Sequence, residues 1–84
     1  MSVQEWSGRE ARALRHALRL SLRAFADRLG IAPRTVSKWE KLGKATVPRP
    51  DTQAILDTAL NQATEEEHIR FKRLIAESVS ESLS

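Results

Sequence analysis

The chain has 84 residues, no cysteine, two histidines and a net charge of +3. That length suits one compact domain with little room for a deep cleft beside its core, and the missing cysteines exclude disulfides, thiolate nucleophiles and sulfur-ligated metal centres. The charge is uneven: residues 1–50 hold 11 Lys/Arg against 4 Asp/Glu, and residues 51–84 hold 3 against 7, so the first part is suited to meet a polyanion.

Few glycines and prolines among many Leu, Ala, Ile and Val residues favour helices. Ser7-Gly8-Arg9-Glu10 has the spacing of a capping box, with Trp6 placed to staple onto the first turn near Ala11. Ala11, Leu14, Ala17 and Leu18 recur at helical spacing, predicting a first helix over Gly8–Arg19. Ser21 caps a second, in which Leu22, Phe25, Ala26 and Leu29 form one apolar side, and Gly30 stops it. Pro33 opens a third helix, about Pro33–Lys41. There Val36, Trp39 and Glu40 share one face, while Arg34, Ser37, Lys38 and Lys41 share the opposite one. Residues 44–50 then read as an extended basic loop.

A fourth helix is expected from about Pro50–Thr52, with Ala54, Ile55, Ala59 and Leu60 as its apolar side and Leu56 beside them. Thr64-Glu65-Glu66-Glu67 is a further capping box, opening a fifth helix striped by His68, Phe71, Leu74 and Ile75, and continuing towards Val79. The organisation is a single domain: an arm over 1–8, a core over 9–62, a C-terminal helix over 64–77 and a serine-rich tail over 78–84 expected to fray. No apolar run reaches the roughly 18 residues of a membrane span, and the polar N-terminus is not a secretory signal, so a cytoplasmic location is expected. Neither metal nor cofactor is expected: His16 and His68 lie far apart, and Glu65–Glu67 diverge around a helix axis at the end where carboxylates favour the dipole.

Two short helices joined at a glycine, the second polar on its outward side, fit a helix-turn-helix unit, whose second helix enters the major groove of DNA. Residues 21–43, Ser-Leu-Arg-Ala-Phe-Ala-Asp-Arg-Leu-Gly-Ile-Ala-Pro-Arg-Thr-Val-Ser-Lys-Trp-Glu-Lys-Leu-Gly, resemble the core of the XRE family of phage-repressor-type regulators. The likeness extends over about residues 9–60 and rests on Arg15, Ser21, Ala26, Gly30, Val36, Ser37, Lys38, Glu40 and Gly43 at intact spacing. Within the family the chain looks most like small single-domain regulators of actinobacterial type, judged from Trp-Ser-Gly-Arg-Glu-Ala-Arg-Ala-Leu and Arg-Thr-Val-Ser-Lys-Trp-Glu.

The resemblance implies an all-α, lambda-repressor-like bundle of five helices with the helix-turn-helix at helices 2 and 3. It implies a transcriptional regulator that binds double-stranded DNA in a sequence-specific manner. Pro33, Arg34, Ser37 and Lys38 fall on positions that read base edges. Arg34 could fork onto guanine O6 and N7, for roughly 1–3 kcal/mol of discrimination. Ser21, Arg23, Thr35, Lys41, Lys44 and Arg49 are the candidate phosphate contacts. Arg15 and Glu40 correspond to an internal ion pair. Two positions depart from the family pattern: Leu22 stands where a glutamine commonly reaches a phosphate, and Ala32 replaces the usual Ser/Thr cap of the recognition helix. Because one module this size buries only roughly 600–1,000 Å² on DNA, a homodimer on a near-palindromic operator is expected, with Phe71, Leu74 and Ile75 as its candidate interface. The competing reading of those three residues is packing against the chain's own core. The competing function is a protein-interaction adaptor or antitoxin-like module with weak DNA binding of its own. An enzyme is disfavoured by the lack of a nucleophile–base pair, a Gly-rich phosphate loop or a metal set.

Overall fold

The computed structural model describes the backbone of residues 3–83 and the side chains of residues 3–78. Over the described residues the chain forms α1 (Gly8–Ala17), α2 (Leu22–Leu29), α3 (Pro33–Leu42), a 3-10 turn (Gly43–Ala45), α4 (Pro50–Asn61) and α5 (Glu65–Leu83), with no strand among them. The architecture is all-α, as expected. α1 lies between α3 and α5, and α2 packs on α3 and α4. Leu14, Phe25, Val36, Leu56, Leu60 and Phe71 fill the centre.

The ends of the helices follow from local chemistry. Ser21 Oγ accepts from Ala24 N–H at 3.1 Å, opening α2. Gly30 closes it in the left-handed region (φ 71°), where its N–H reaches Asp27 O and Ile31 N–H reaches Ala26 O; that pair of bonds satisfies the last carbonyls of α2 and turns the chain into α3. The same device ends α1 two residues before the expected Arg19. Arg19 takes the left-handed conformation (φ 57°), with Arg19 N–H bonded to His16 O and Leu20 N–H to Arg15 O. Without a glycine there, periodicity alone carried the predicted helix too far. Thr64 and Glu67 form the reciprocal capping box that opens α5: Glu67 N–H donates to Thr64 Oγ1 at 3.2 Å and Thr64 N–H to Glu67 Oε1 at 2.8 Å. α5 runs to Leu83, past residue 77, because a serine- and glutamate-rich stretch without Gly or Pro has nothing to stop a helix. Ser84 and the side chains from residue 79 onward, including Val79, lie outside the described residues.

Three expectations are corrected and one is extended. Ser7 Oγ caps α1 by accepting from Arg9 N–H, but Glu10 does not reach the backbone of Ser7. Its carboxylate instead accepts the Ser7 hydroxyl proton, at 2.7 and 2.9 Å. Trp6 shares the buried core with Ala11 and reaches well beyond the first turn. It is 1% exposed, its ring centroid lies 5.8 Å from that of Phe71, and its indole N–H donates to Asp57 Oδ1 at 2.7 Å. The inward side of α4 is Leu56, Ala59 and Leu60, while Ala54 and Ile55 face out. Ala-Ile-Leu in succession leaves two possible stripes, and tertiary packing selects the second. Residues 44 and 45 of the expected loop belong to the 3-10 turn Gly43–Ala45.

Gly8 occupies a contact that sequence spacing does not signal. A Cβ there would lie 2.0 Å from Trp39 O and 2.8 Å from Gly43 O, so the first turn of α1 touches the last turn of α3 backbone to backbone. Gly8 N–H also donates to Thr46 O at 3.0 Å. At a first helical position alanine would ordinarily stabilise, so the sign of the effect is diagnostic. Gly8→Ala is expected to destabilise the chain by about 3 kcal/mol or more through forced separation of α1 and α3, measured by urea denaturation. An unchanged or raised midpoint would contradict the close approach.

Candidate nucleic-acid interface

α3 is fixed from behind by hydrophobic packing and by one carboxylate. Val36 and Trp39 point into the core, at 0% and 6% exposure. Glu40, next to them, accepts from Arg15 through both oxygens: Nε to Oε2 at 2.6 Å and Nη2 to Oε1 at 2.8 Å. The Arg15 side chain is 18% exposed and that of Glu40 12%, so the fork works in a partly desolvated setting where such bonds are strong. The remaining Arg15 nitrogen, Nη1, donates to Leu20 O at 3.1 Å, which joins the α1–α2 corner to the same pair. The expected α1–α3 link is therefore present, and Arg12 adds a longer contact to Glu40 Oε1 at 3.8 Å. His16 Nε2 lies 3.1 Å from Arg15 Nη2. A guanidinium can only donate, so this contact requires His16 to be neutral at Nε2. Its pKa is lowered from the ordinary histidine value by burial first and then by the charges of Arg15 and Arg12, against a smaller opposing effect of Glu40.

The opposite face of α3 is exposed along its length. Arg34, Ser37, Lys38 and Lys41 all face solvent, as does Pro33 at the first helical position. Among the described residues, Arg34, Lys38 and Lys41 enter no ion pair. The neighbouring carboxylate is spent on Arg15, so the charge of this face is uncompensated from within. Ala32 supplies no side-chain cap to α3, in line with the departure seen in the sequence.

The candidate phosphate contacts do not form one cluster. Arg34, Thr35 and Lys38 share a shallow cleft with Trp39 and Thr46, between α3 and the segment after the 3-10 turn. Thr35 is half-buried there, and Thr46 is a wall residue that the sequence did not single out. Ser21 and Arg23 are exposed at the start of α2. The Ser21 oxygen is engaged as a cap, which leaves its hydroxyl proton available to an acceptor. Lys44 borders a different cleft, with Arg9, Arg12, His16, Glu40 and Leu74. Arg49 is exposed at the N-cap of α4.

The candidate dimer residues divide. Phe71, at 1% exposure, is consumed by the chain's own core against Trp6, so it is not a surface residue. Leu74 and Ile75 are half-buried at the edge of that core. His68 packs α5 on α4, with Nε2 2.6 Å from Leu60 O. Arg70 does similar work on α1, donating from Nε to Ala17 O at 2.9 Å, near the negative end of that helix.

Among the described residues no helix is long and apolar enough to cross a membrane. No match to the chain was found among curated proteins or among solved structures. A family model described as a helix-turn-helix domain matches residues 7–69, a span that takes in α1–α4, the outward face of α3 and the start of α5. With most of its length inside that match and its second and third helices joined at Gly30 as described, the chain belongs to the helix-turn-helix domain family.

Proposed function

We propose that this protein is a transcriptional regulator of the phage-repressor type that binds double-stranded DNA in a sequence-specific manner, reading the major groove with α3. It acts in the cytoplasm, on the nucleoid, as a binding protein rather than an enzyme. The observation that carries this reading is the uncompensated outward face of α3. Arg34, Ser37, Lys38 and Lys41 are exposed, and the helix that bears them is held rigidly by Trp39, Val36 and the Arg15–Glu40 fork. A helix fits the major groove, where each base pair presents a distinct pattern of donors and acceptors. Arg34 takes the guanine-reading role in this proposal, Lys38 a guanine or a phosphate, Ser37 a base edge, and Pro33 an apolar contact such as a thymine methyl. Ser21, Arg23, Thr35, Lys41, Lys44 and Arg49 contact phosphates and set the register.

The functional unit in this reading is a homodimer on a near-palindromic site, with half-sites about one helical turn apart. The α4–α5 side is the favoured contact. It carries the acidic balance of the chain, which keeps it away from phosphate; Ile55 on α4 and Ile69 on α5 are exposed, and Leu74 and Ile75 on α5 are half-buried.

Binding through several phosphates should weaken steeply between about 50 and 200 mM salt, whereas an adaptor that meets DNA only through a partner would show weak and salt-insensitive binding. Arg34→Ala should cost about 1–3 kcal/mol on the preferred duplex and relax base preference at one position, as read by fluorescence anisotropy on duplexes varied one base pair at a time. A uniform loss on every sequence would contradict direct reading. Lys44→Ala should weaken binding to all sequences alike and flatten the salt slope by about one. An unaltered slope would remove Lys44 from the phosphate contacts.

A further inference from the structure

The stretch Thr46–Arg49 links the 3-10 turn to α4 in an extended conformation, with φ −121° and ψ 135° at Thr46 and φ −63° and ψ 156° at Arg49. Apart from the opening bond of α4 at Arg49 O, no helix or sheet ladder fixes it, yet three of its four carbonyls are held. Gly8 N–H donates to Thr46 O at 3.0 Å, and Gln53 N–H to Arg49 O at 2.9 Å. The Gln53 side chain donates from Nε2 to Pro48 O at 2.9 Å. Its Oε1 accepts from Trp6 N–H at 3.2 Å, and Nε2 makes a longer approach to Trp6 O at 3.5 Å.

One amide therefore ties this extended stretch to Trp6, a residue that is itself fixed by Asp57 and Phe71. An amide suits this place: Pro48 O needs a donor and Trp6 N–H needs an acceptor, and the Gln53 tip presents the two on separate atoms without charge, each facing its own partner. The consequence is directional. Pro48 is buried, while its neighbours Val47 and Arg49 face out; the Gln53 amide holds the Pro48 carbonyl, and the Gln53 backbone N–H, the opening helical donor of α4, holds that of Arg49.

We propose that Gln53 is a positioning residue for DNA binding: by gripping the Pro48–Arg49 peptide it aims the Arg49 guanidinium at the duplex backbone beside the N-terminus of α4. The inference rests on the function proposed above and adds to it a residue that never touches DNA. When the grip is lost, the extended stretch samples other conformations and the Arg49–phosphate contact is diluted.

The full chain and its Gln53→Leu, Arg49→Ala and doubly substituted forms can be compared for binding to a short DNA duplex of mixed sequence over a salt series, with thermal melting alongside. Arg49→Ala should flatten the slope of log affinity against log salt by about 0.9, the loss of one phosphate contact. Gln53→Leu should flatten it by a similar amount, and the double substitution by no more than either alone. Gln53→Met removes the same hydrogen bonds with a more flexible side chain and serves if Gln53→Leu no longer melts cooperatively. A purely structural role would lower the melting temperature without making the two substitutions redundant in the slope. The proposal is overturned if Gln53→Leu or Arg49→Ala retains the full slope, or if the double substitution sums the two effects. A wild-type chain that binds the duplex without salt dependence would overturn the DNA-binding reading itself, a result visible before any variant is made.

Discussion

Glu40 is the carboxylate on which the presentation of α3 depends. It lies one helical position from Trp39 and on the helix whose other side is cationic, where a free negative charge would oppose any polyanion. Both of its oxygens are instead held by Arg15 at 2.6 and 2.8 Å in a setting largely closed to water. The fork neutralises the carboxylate, pins α3 to α1 and, through Arg15 Nη1 and Leu20 O, fixes the corner that leads into α2. Removing either partner would leave a half-buried charge, a defect of about 3–5 kcal/mol in comparable buried pairs. The backbone contact of Gly8 with Trp39 O and Gly43 O secures the same C-terminal turn of the helix, on either side of Glu40 in sequence. α3 is therefore clamped by charge along its inner edge and by steric fit at its C-terminus, and its remaining face is left to solvent.

This arrangement separates the charges of the molecule by task. Glu10 and Glu40 are committed to Ser7, Arg9 and Arg15 within the fold, while Arg34, Lys38 and Lys41 have no such partner among the described residues. The acidic second part of the chain begins where the basic loop ends, and its helices brace the domain through His68, Arg70 and Phe71. Packing and charge thus agree on α3: the face that is held from behind and left basic is the one suited to a polyanion.

Much of this is written locally in the sequence. Ser21, Gly30 and Thr64 mark helix ends because a cap involves residues two to five apart, and the two faces of α3 follow from a period of 3.6. The links between distant elements were not legible in that way. Gln53 and Trp6 are separated by 47 residues, and Arg70 and Ala17 by 53, so no spacing rule joins them. Trp6 illustrates the limit: its position before a cap points to the first turn of α1, but no spacing rule announces Phe71, against which its ring packs, or Asp57, which takes its indole N–H. The inward side of α4 was ambiguous because adjacent Ile55 and Leu56 both qualify, and Arg19 stopped α1 early in a conformation that sequence would assign to glycine. The Arg15–Glu40 pair came from family resemblance, since residues 25 apart on different helices carry no periodic signature.

The most direct measurement is a backbone amide NMR titration of the full chain with a DNA duplex. If α3 is a rigid rod presented from a fixed support, the shifts should concentrate at Arg34, Ser37, Lys38 and Lys41 and at the starts of α2 and α4. The Trp39 indole and the amides of Val36 and Phe71 should stay in place. Shifts centred on α5, or a general displacement of the core signals with the α3 face unmoved, would contradict that presentation.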